Sequence, residues 1–149
     1  MKIHKAFPFF YLLAAACSLS EREAFDTVYN LKVNECVQPG AAYLSTYTEL
    51  NGDCGALNDE IITVSLDGYT RLPEGCHLGP GFRYSGCSVY VDTLCESYLE
   101  DGRLTTVTQT GKMDWNRDGS GGVGTISMSV SIQKTGSCRS TYRIDSTRL

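Results

Sequence analysis

The chain has 149 residues, seven cysteines and a formal net charge of −4. This length suits one domain with its own hydrophobic core. Because phosphate backbones are bound by clustered Lys and Arg, an acidic chain of this kind excludes nucleic acid as an expected partner.

The first sixteen residues have the pattern of a signal peptide. Lys2 and Lys5 precede an unbroken apolar run of 11 residues from Ala6 to Ala16. That run is shorter than the roughly 20 apolar residues that span a bilayer, so we expect a leader and no permanent transmembrane helix. The predicted organisation is a signal peptide at 1–16, a lipidated cysteine with a short tether at 17–24, and a β-rich domain at 25–149.

The leader ends in Ala14-Ala15-Ala16-Cys17-Ser18, which resembles a bacterial lipobox. In that class the cysteine thiol is diacylated, the leader is cut just before the cysteine, and the new amine is acylated. The resemblance implies that Cys17 carries the lipid and that a membrane is a partner. The alternative is ordinary secretory cleavage, because Ala14 and Ala16 also satisfy an A-x-A rule.

The cysteine count supports lipidation independently of the motif. An odd number in an exported protein leaves one thiol to be explained, and a lipid on Cys17 explains it. The other six can then form three disulfides in an oxidising compartment. These disulfide candidates are Cys36, Cys54, Cys76, Cys87, Cys95 and Cys138. Of the fifteen pairings that six cysteines allow, our working hypothesis joins sequence neighbours: Cys36 with Cys54, Cys76 with Cys87, and Cys95 with Cys138.

Alternating apolar and polar residues predict a series of short strands. The alternation is cleanest in Ile126–Ile132, where every intervening residue is serine, so one face packs inward and the other meets water or a second polar layer. The Gly- and Pro-rich segment Leu72–Gly86 is expected to be irregular and held by a disulfide. The predicted strands are Thr27–Val33, Ala42–Leu50, Glu60–Leu66, Cys87–Leu94, Arg103–Trp115, Ile126–Ile132 and Thr141–Ser146. We therefore predict an all-β fold, a single antiparallel sandwich or open barrel of about six to eight strands.

One loop has a pattern found in calcium sites. Asp114, Asn116 and Asp118 match the first half of an EF-hand loop, D-x-N-x-D-G. The match fails at position twelve, where Thr125 replaces the bidentate Glu, and the flanks alternate like strands. A hairpin loop from Asn116 to Gly122 is the favoured interpretation, with calcium as the alternative.

No set of residues predicts catalysis. His77, the only histidine after the leader, lies in the Gly- and Pro-rich segment, where no serine and acid are placed beside it by the sequence. The absence of C-x-x-C pairs argues against structural zinc. We therefore expect a non-enzymatic protein with no catalytic residues and no cofactor.

Tyrosines are the remaining candidate for a binding surface. They suit a face that binds a glycan or a protein, although tyrosine is also a good strand residue, and that second interpretation is favoured. The tyrosines after the leader are Tyr29, Tyr43, Tyr47, Tyr69, Tyr84, Tyr90, Tyr98 and Tyr142.

Three segments carry a resemblance to a group of proteins: Tyr47–Gly55, Gly124–Met128 and Ser137–Tyr142. Together they resemble small uncharacterised lipoproteins of Gram-negative bacteria, particularly myxobacteria. Their shared residues are glycines, cysteines and strand formers, so the resemblance implies a scaffold and no activity. Ser18 after the lipid cysteine implies the outer membrane by the sorting rule of enteric bacteria, with secretion as the alternative.

We expect an anchored, non-enzymatic lipoprotein that is structural or binds a protein or glycan. The alternative hypothesis is a secreted or periplasmic inhibitor of a hydrolase, with Leu72–Gly86 as its rigid loop.

Overall fold

The structure, a computed structural model, describes residues 30–72 and 74–149, so the predicted leader, Cys17 and the tether lie outside it. The described part contains ten strands, and no helix in it is long and apolar enough to cross a membrane. The strands are β1 (Asn30–Lys32), β2 (Ala42–Gly52), β3 (Glu60–Thr63), β4 (Tyr69–Arg71), β5 (Cys76–Leu78), β6 (Arg83–Ser85), β7 (Ser88–Tyr98), β8 (Leu104–Trp115), β9 (Gly121–Ile132) and β10 (Gly136–Arg148).

Eight of the strands form one antiparallel sheet. The order is β3-β2-β10-β9-β8-β7, and β5 and β6 both pair with the outer edge of β7. This sheet curls into a half-barrel, and β1 and β4 form a separate two-stranded sheet. The predicted all-β antiparallel fold is confirmed. The additional strands are β4, β5 and β6, each of three residues, too short for alternation to identify them.

Alternation along the long strands decides which face of the sheet is buried. On β9, Ile126, Met128 and Val130 are buried in the core, whereas the intervening serines lie on the opposite side, which we call the outer face. The same alternation holds on β8, where Val107 and Met113 are buried. The sheet therefore encloses the core on its inner face and exposes a polar outer face.

Tyr43 and Trp115 pack together at one end of this core. Their rings meet edge to face with centroids 5.0 Å apart, and Tyr43 is fully buried. The Tyr43 hydroxyl accepts a hydrogen bond from the Gln38 backbone N–H at 3.0 Å and donates one to the Gly119 carbonyl at 3.0 Å. Tyr43 thereby joins the segment between β1 and β2 to the turn between β8 and β9.

Trp115 lies across from a glycine on the neighbouring strand. The register places Trp115 opposite Gly122, and a Cβ at position 122 would lie 3.1 Å from Trp115 Cδ2 and 2.7 Å from the Asp114 carbonyl oxygen. Glycine at 122 therefore leaves the space that the indole ring fills, an arrangement in which an aromatic side chain covers a strand glycine.

The six candidate cysteines all form disulfides, but the pairing by sequence neighbours is wrong. The observed pairs are Cys36–Cys87, Cys54–Cys138 and Cys76–Cys95. The reason is the sheet register, which places Cys76 directly opposite Cys95 and brings the start of β10 beside the end of β2. The segment Leu72–Gly86 is held by a disulfide as expected, but it also contributes β5 and β6.

Candidate functional site

A groove of about 570 Å³ lies on the outer face of the sheet. Its volume falls in the range of about 300–1,000 Å³ that is usual for small-molecule sites. Hydroxyl groups from β8, β9 and the start of β10 line it, together with Asp53, Arg139, Val130 and Cys138. The hydroxyl residues are Thr106, Thr108, Ser129, Ser131 and Ser137. We call this feature the hydroxyl groove.

Strand register brings these hydroxyls together. Thr106 on β8 pairs with Ser131 on β9, which in turn pairs with Ser137 on β10. Two residues from this pair on each strand, Thr108 on β8 pairs with Ser129 on β9. Because neighbouring strands are about 4.8 Å apart and alternate residues share a face, the hydroxyls form two short rows across the sheet.

Arg139 is held firmly at the side of the groove. Its backbone N–H donates to Asp53 Oδ1 at 2.9 Å, and its carbonyl accepts from the Asp53 N–H at 3.2 Å. Its Nε donates to Ser129 Oγ at 2.8 Å. The adjacent disulfide Cys54–Cys138 joins the segment just after β2, which carries Asp53, to β10, which carries Arg139.

Tyr98 and Leu94 lie exposed on β7 beside the groove, and the exposed Glu96 lies between them on the same face. Tyr98 is 75% exposed at the end of β7 and pairs with Leu104 on β8, while Glu96 pairs with Thr106. Tyr98 is therefore a diagonal neighbour of Thr106 on the same face, within reach of a large side chain. Leu94, also exposed on this face, pairs with Thr108.

Paired charges occupy the outer face toward the β8–β9 turn. Lys112 and Asp114 form an ion pair at 2.8 Å, and Arg143 and Asp145 form another at 2.9 Å. Hydrogen bonds from Lys112 and Ser88 hold the pKa of Asp114 below its usual value, and hydrogen bonds from Arg143 do the same for the pKa of Asp145. Each of these four charges therefore has an ion-pair partner within the protein. Asp53 and Arg139, the charged residues of the hydroxyl groove, form no ion pair with any of the residues that the structure describes.

The candidate calcium residues lie at the β8–β9 hairpin. Asp114 contacts Lys112, Asp118 Oδ1 accepts from the Ser120 N–H at 2.9 Å, and Asn116 Nδ2 donates to Ser120 Oγ at 3.0 Å. Gly119 adopts a φ of +72°, which favours glycine in such a turn. In this conformation the three side chains serve separate contacts. The segment is a hairpin loop, but it covers only residues 116–120, because β9 begins at Gly121 and Gly122 pairs with Trp115.

One other group of donor atoms is close enough to suggest a metal. Within residues 30–72 and 74–149, only Asp53, Cys54 and Cys138 bring three His, Cys, Asp or Glu donors within 4.8 Å of one another. Because the two sulfurs are joined in a disulfide, neither is available as a thiolate ligand. We therefore assign no metal to this group.

The other sequence candidates are separate from the groove. His77 is exposed on β5, opposite Leu94. Tyr43 and Tyr142 are fully buried, so these two tyrosines belong to the core. Tyr29 lies outside the described residues, and among the tyrosines that the structure describes, Tyr98 is the one that borders the hydroxyl groove.

The hydroxyl groove cannot be recognised from the alternation within any single strand. The serines of Ile126–Ile132 were expected to face water or a polar layer, and they do so. The missing information was the register that sets Thr106 and Thr108 beside them. A run of outward threonines on one strand followed by outward serines on the next was the available signal.

The chain matches no protein-family model, no curated protein and no solved structure in the comparisons.

Proposed function

We propose that this protein is a lipid-anchored, exported module that binds a glycan in the hydroxyl groove. The observation that carries the proposal is a groove lined by five hydroxyl residues on an ordered sheet. Serine and threonine hydroxyls both donate and accept hydrogen bonds, as sugar hydroxyls do.

The exposed ring of Tyr98 supports the same ligand class. Sugar rings combine hydroxyl edges with C–H faces that pack on aromatic rings, and Tyr98 offers such a ring beside Thr106. A protein partner is less well matched, because the centres of protein interfaces are enriched in aromatic residues and Met and depleted in Ser. A polyhydroxylated ligand therefore fits the groove better than a protein surface does.

The test of glycan binding compares two outer-face substitutions of similar size. Ser129→Ala removes a hydroxyl from the groove, while Thr125→Ala removes one from the same strand and face outside it. On an array of bacterial and plant polysaccharides, we expect the wild type and Thr125→Ala to bind the same glycans. Ser129→Ala should bind them several-fold more weakly, since a typical hydrogen bond contributes about 1 kcal/mol. Equal loss in both variants would place the ligand elsewhere, and no binding by the wild type would reject the proposal.

The anchor is tested separately on the full-length protein. Cys17→Ala should release the protein from the membrane fraction, because the thiol that would carry the lipid is removed. Ser18→Ala, which leaves Cys17 in place, serves as the control and should stay with the membrane. A Cys17→Ala protein that remains in the membrane fraction would show that the anchor assignment is wrong.

The alternative of a hydrolase inhibitor has less structural support. That hypothesis depended on Leu72–Gly86 as a rigid projecting loop. In the structure, Cys76–Leu78 and Arg83–Ser85 are both paired with β7 along the edge of the sheet. We therefore place the binding site in the hydroxyl groove.

A further inference from the structure

Arg139 lacks the ion pair that three other exposed cations form. Arg103, Lys112 and Arg143 each form an ion pair with an aspartate two residues away in sequence. Arg139 forms no such pair with any carboxylate of the described residues. The groove thus contains a guanidinium whose charge is not matched by an ion pair.

The position of Arg139 is nevertheless well defined. Its Nε is held by Ser129 Oγ at 2.8 Å, and its backbone is held by Asp53 through two hydrogen bonds. Within the described chain its two Nη groups have no hydrogen-bond acceptor, so the end of the guanidinium is available to a ligand. A planar pair of N–H donors matches the two oxygens of a carboxylate.

We infer that the hydroxyl groove takes an acidic glycan, with a sugar carboxylate bound end-on by the two Nη groups of Arg139. This inference rests on the proposed glycan-binding function and specifies its substrate class. The neutral hydroxyl rows would bind the sugar hydroxyls, while Arg139 distinguishes a uronic or other carboxyl-bearing unit from its neutral counterpart. Pre-positioning by Ser129 and Asp53 lowers the entropy lost when that contact forms.

The negative charge of Asp53 leads to a second prediction about the affinity for an acidic glycan. The carboxylate of Asp53 lines the groove, so it repels an anionic ligand. Its Oδ1 accepts a hydrogen bond from the Arg139 N–H, a role that the Oδ1 of an asparagine can also fill. Asp53→Asn should therefore strengthen the binding of an acidic glycan while leaving the local structure in place.

The experiment measures calorimetric affinities for matched acidic and neutral glycans. The probes are oligogalacturonate with its methyl ester, hyaluronan oligosaccharides with their carboxyl-reduced form, and muramic acid-containing glycan strands with the carboxyl free or amidated. We expect at least one acidic form to bind about tenfold more tightly than its neutral partner, and its affinity to fall with added salt.

Three variants test the role of Arg139. Arg139→Gln should lower the affinity for the acidic form about tenfold and leave that for the neutral form nearly unchanged. Arg139→Lys should fall between wild type and Arg139→Gln, because a lysine keeps the charge but loses the paired donors. Arg143→Gln is the matched control: it lies on the same strand and face, changes the net charge equally, and is ion-paired to Asp145.

The outcomes separate this inference from the proposed function. If acidic and neutral partners bind equally, or if Arg143→Gln loses as much affinity as Arg139→Gln, the role of Arg139 is overturned while glycan binding stands. If no glycan binds to the wild type, both are overturned. If Asp53→Asn weakens acidic binding without unfolding the protein, the carboxylate is not bound beside Arg139.

Discussion

Replacing Cys54 and Cys138 together by alanine is expected to lower the free energy of unfolding by about 4.5 kcal/mol. The two cysteines are 84 residues apart, and the entropy that a cross-link removes from the unfolded chain grows with the length of the loop it closes. Denaturant unfolding of the oxidised proteins measures the difference. A loss of that size is a large fraction of the stability of a domain of this length.

The double variant Cys76→Ala/Cys95→Ala provides the comparison. This pair is only 19 residues apart, so the same relation gives a loss of about 3 kcal/mol. If removing Cys76–Cys95 lowers the free energy of unfolding more than removing Cys54–Cys138 does, chain entropy does not explain the contribution of these disulfides.

Loss of the Cys54–Cys138 disulfide should also weaken ligand binding. Cys54 follows Asp53 and Cys138 precedes Arg139, so the cross-link holds both polar groups at the side of the hydroxyl groove. The Cys76–Cys95 disulfide lies at the β5–β7 edge, away from these two residues. Binding assays at a temperature where both variants are folded should therefore show a defect in the first variant and little change in the second.

Trp115→Ala is expected to cost about 3–5 kcal/mol of unfolding free energy. Trp115 is only 4% exposed, packs edge to face against Tyr43, and covers Gly122. Gly122 has no side chain with which to fill the space that the indole leaves, so the site cannot readily collapse. Tyr43 would also lose the ring that it contacts.

Two further substitutions serve as controls for Trp115. Trp115→Phe keeps an aromatic ring beside Tyr43 and should lose much less stability than Trp115→Ala. Val123→Ala lies next to Gly122 but is 49% exposed, so we expect a change within about 0.5 kcal/mol. A cost below about 1.5 kcal/mol for Trp115→Ala would contradict the role assigned to this packing.

Local patterns predicted the long strands but not their full extent. The alternation in Ile126–Ile132 is a property of consecutive residues, and the strand is present. The strand begins earlier, at Gly121, because three of the residues from Gly121 to Gly124 are glycines and carry no apolar signal. Strand β4 (Tyr69–Arg71) was not predicted, because three residues are too few to show an alternating pattern. It is recognised as a strand only by its pairing with β1.

The disulfides and the groove depend on which strands are neighbours. The candidate cysteines could be named from parity, but their pairing requires knowing that Cys76 lies opposite Cys95. In the same way, Thr106 and Ser131 are 25 positions apart and become neighbours only through the β8–β9 register. Arg139 resembles any other surface arginine until the structure places it in the lining of the groove.

The place of β10 in the sheet has a consequence for the order of folding. It is the last of the described strands in sequence, yet it lies between β2 and β9, and its contacts reach back to residues such as Ser45, bonded to Ser146 from 101 positions away. Strands β7, β8 and β9 can pair with their sequence neighbours, whereas β2, which pairs locally only with β3, joins the rest of the sheet through the final strand. Until then β2 and β9 each retain an unpaired edge, so a chain that stops before Gly136 should fail to fold and be prone to aggregate.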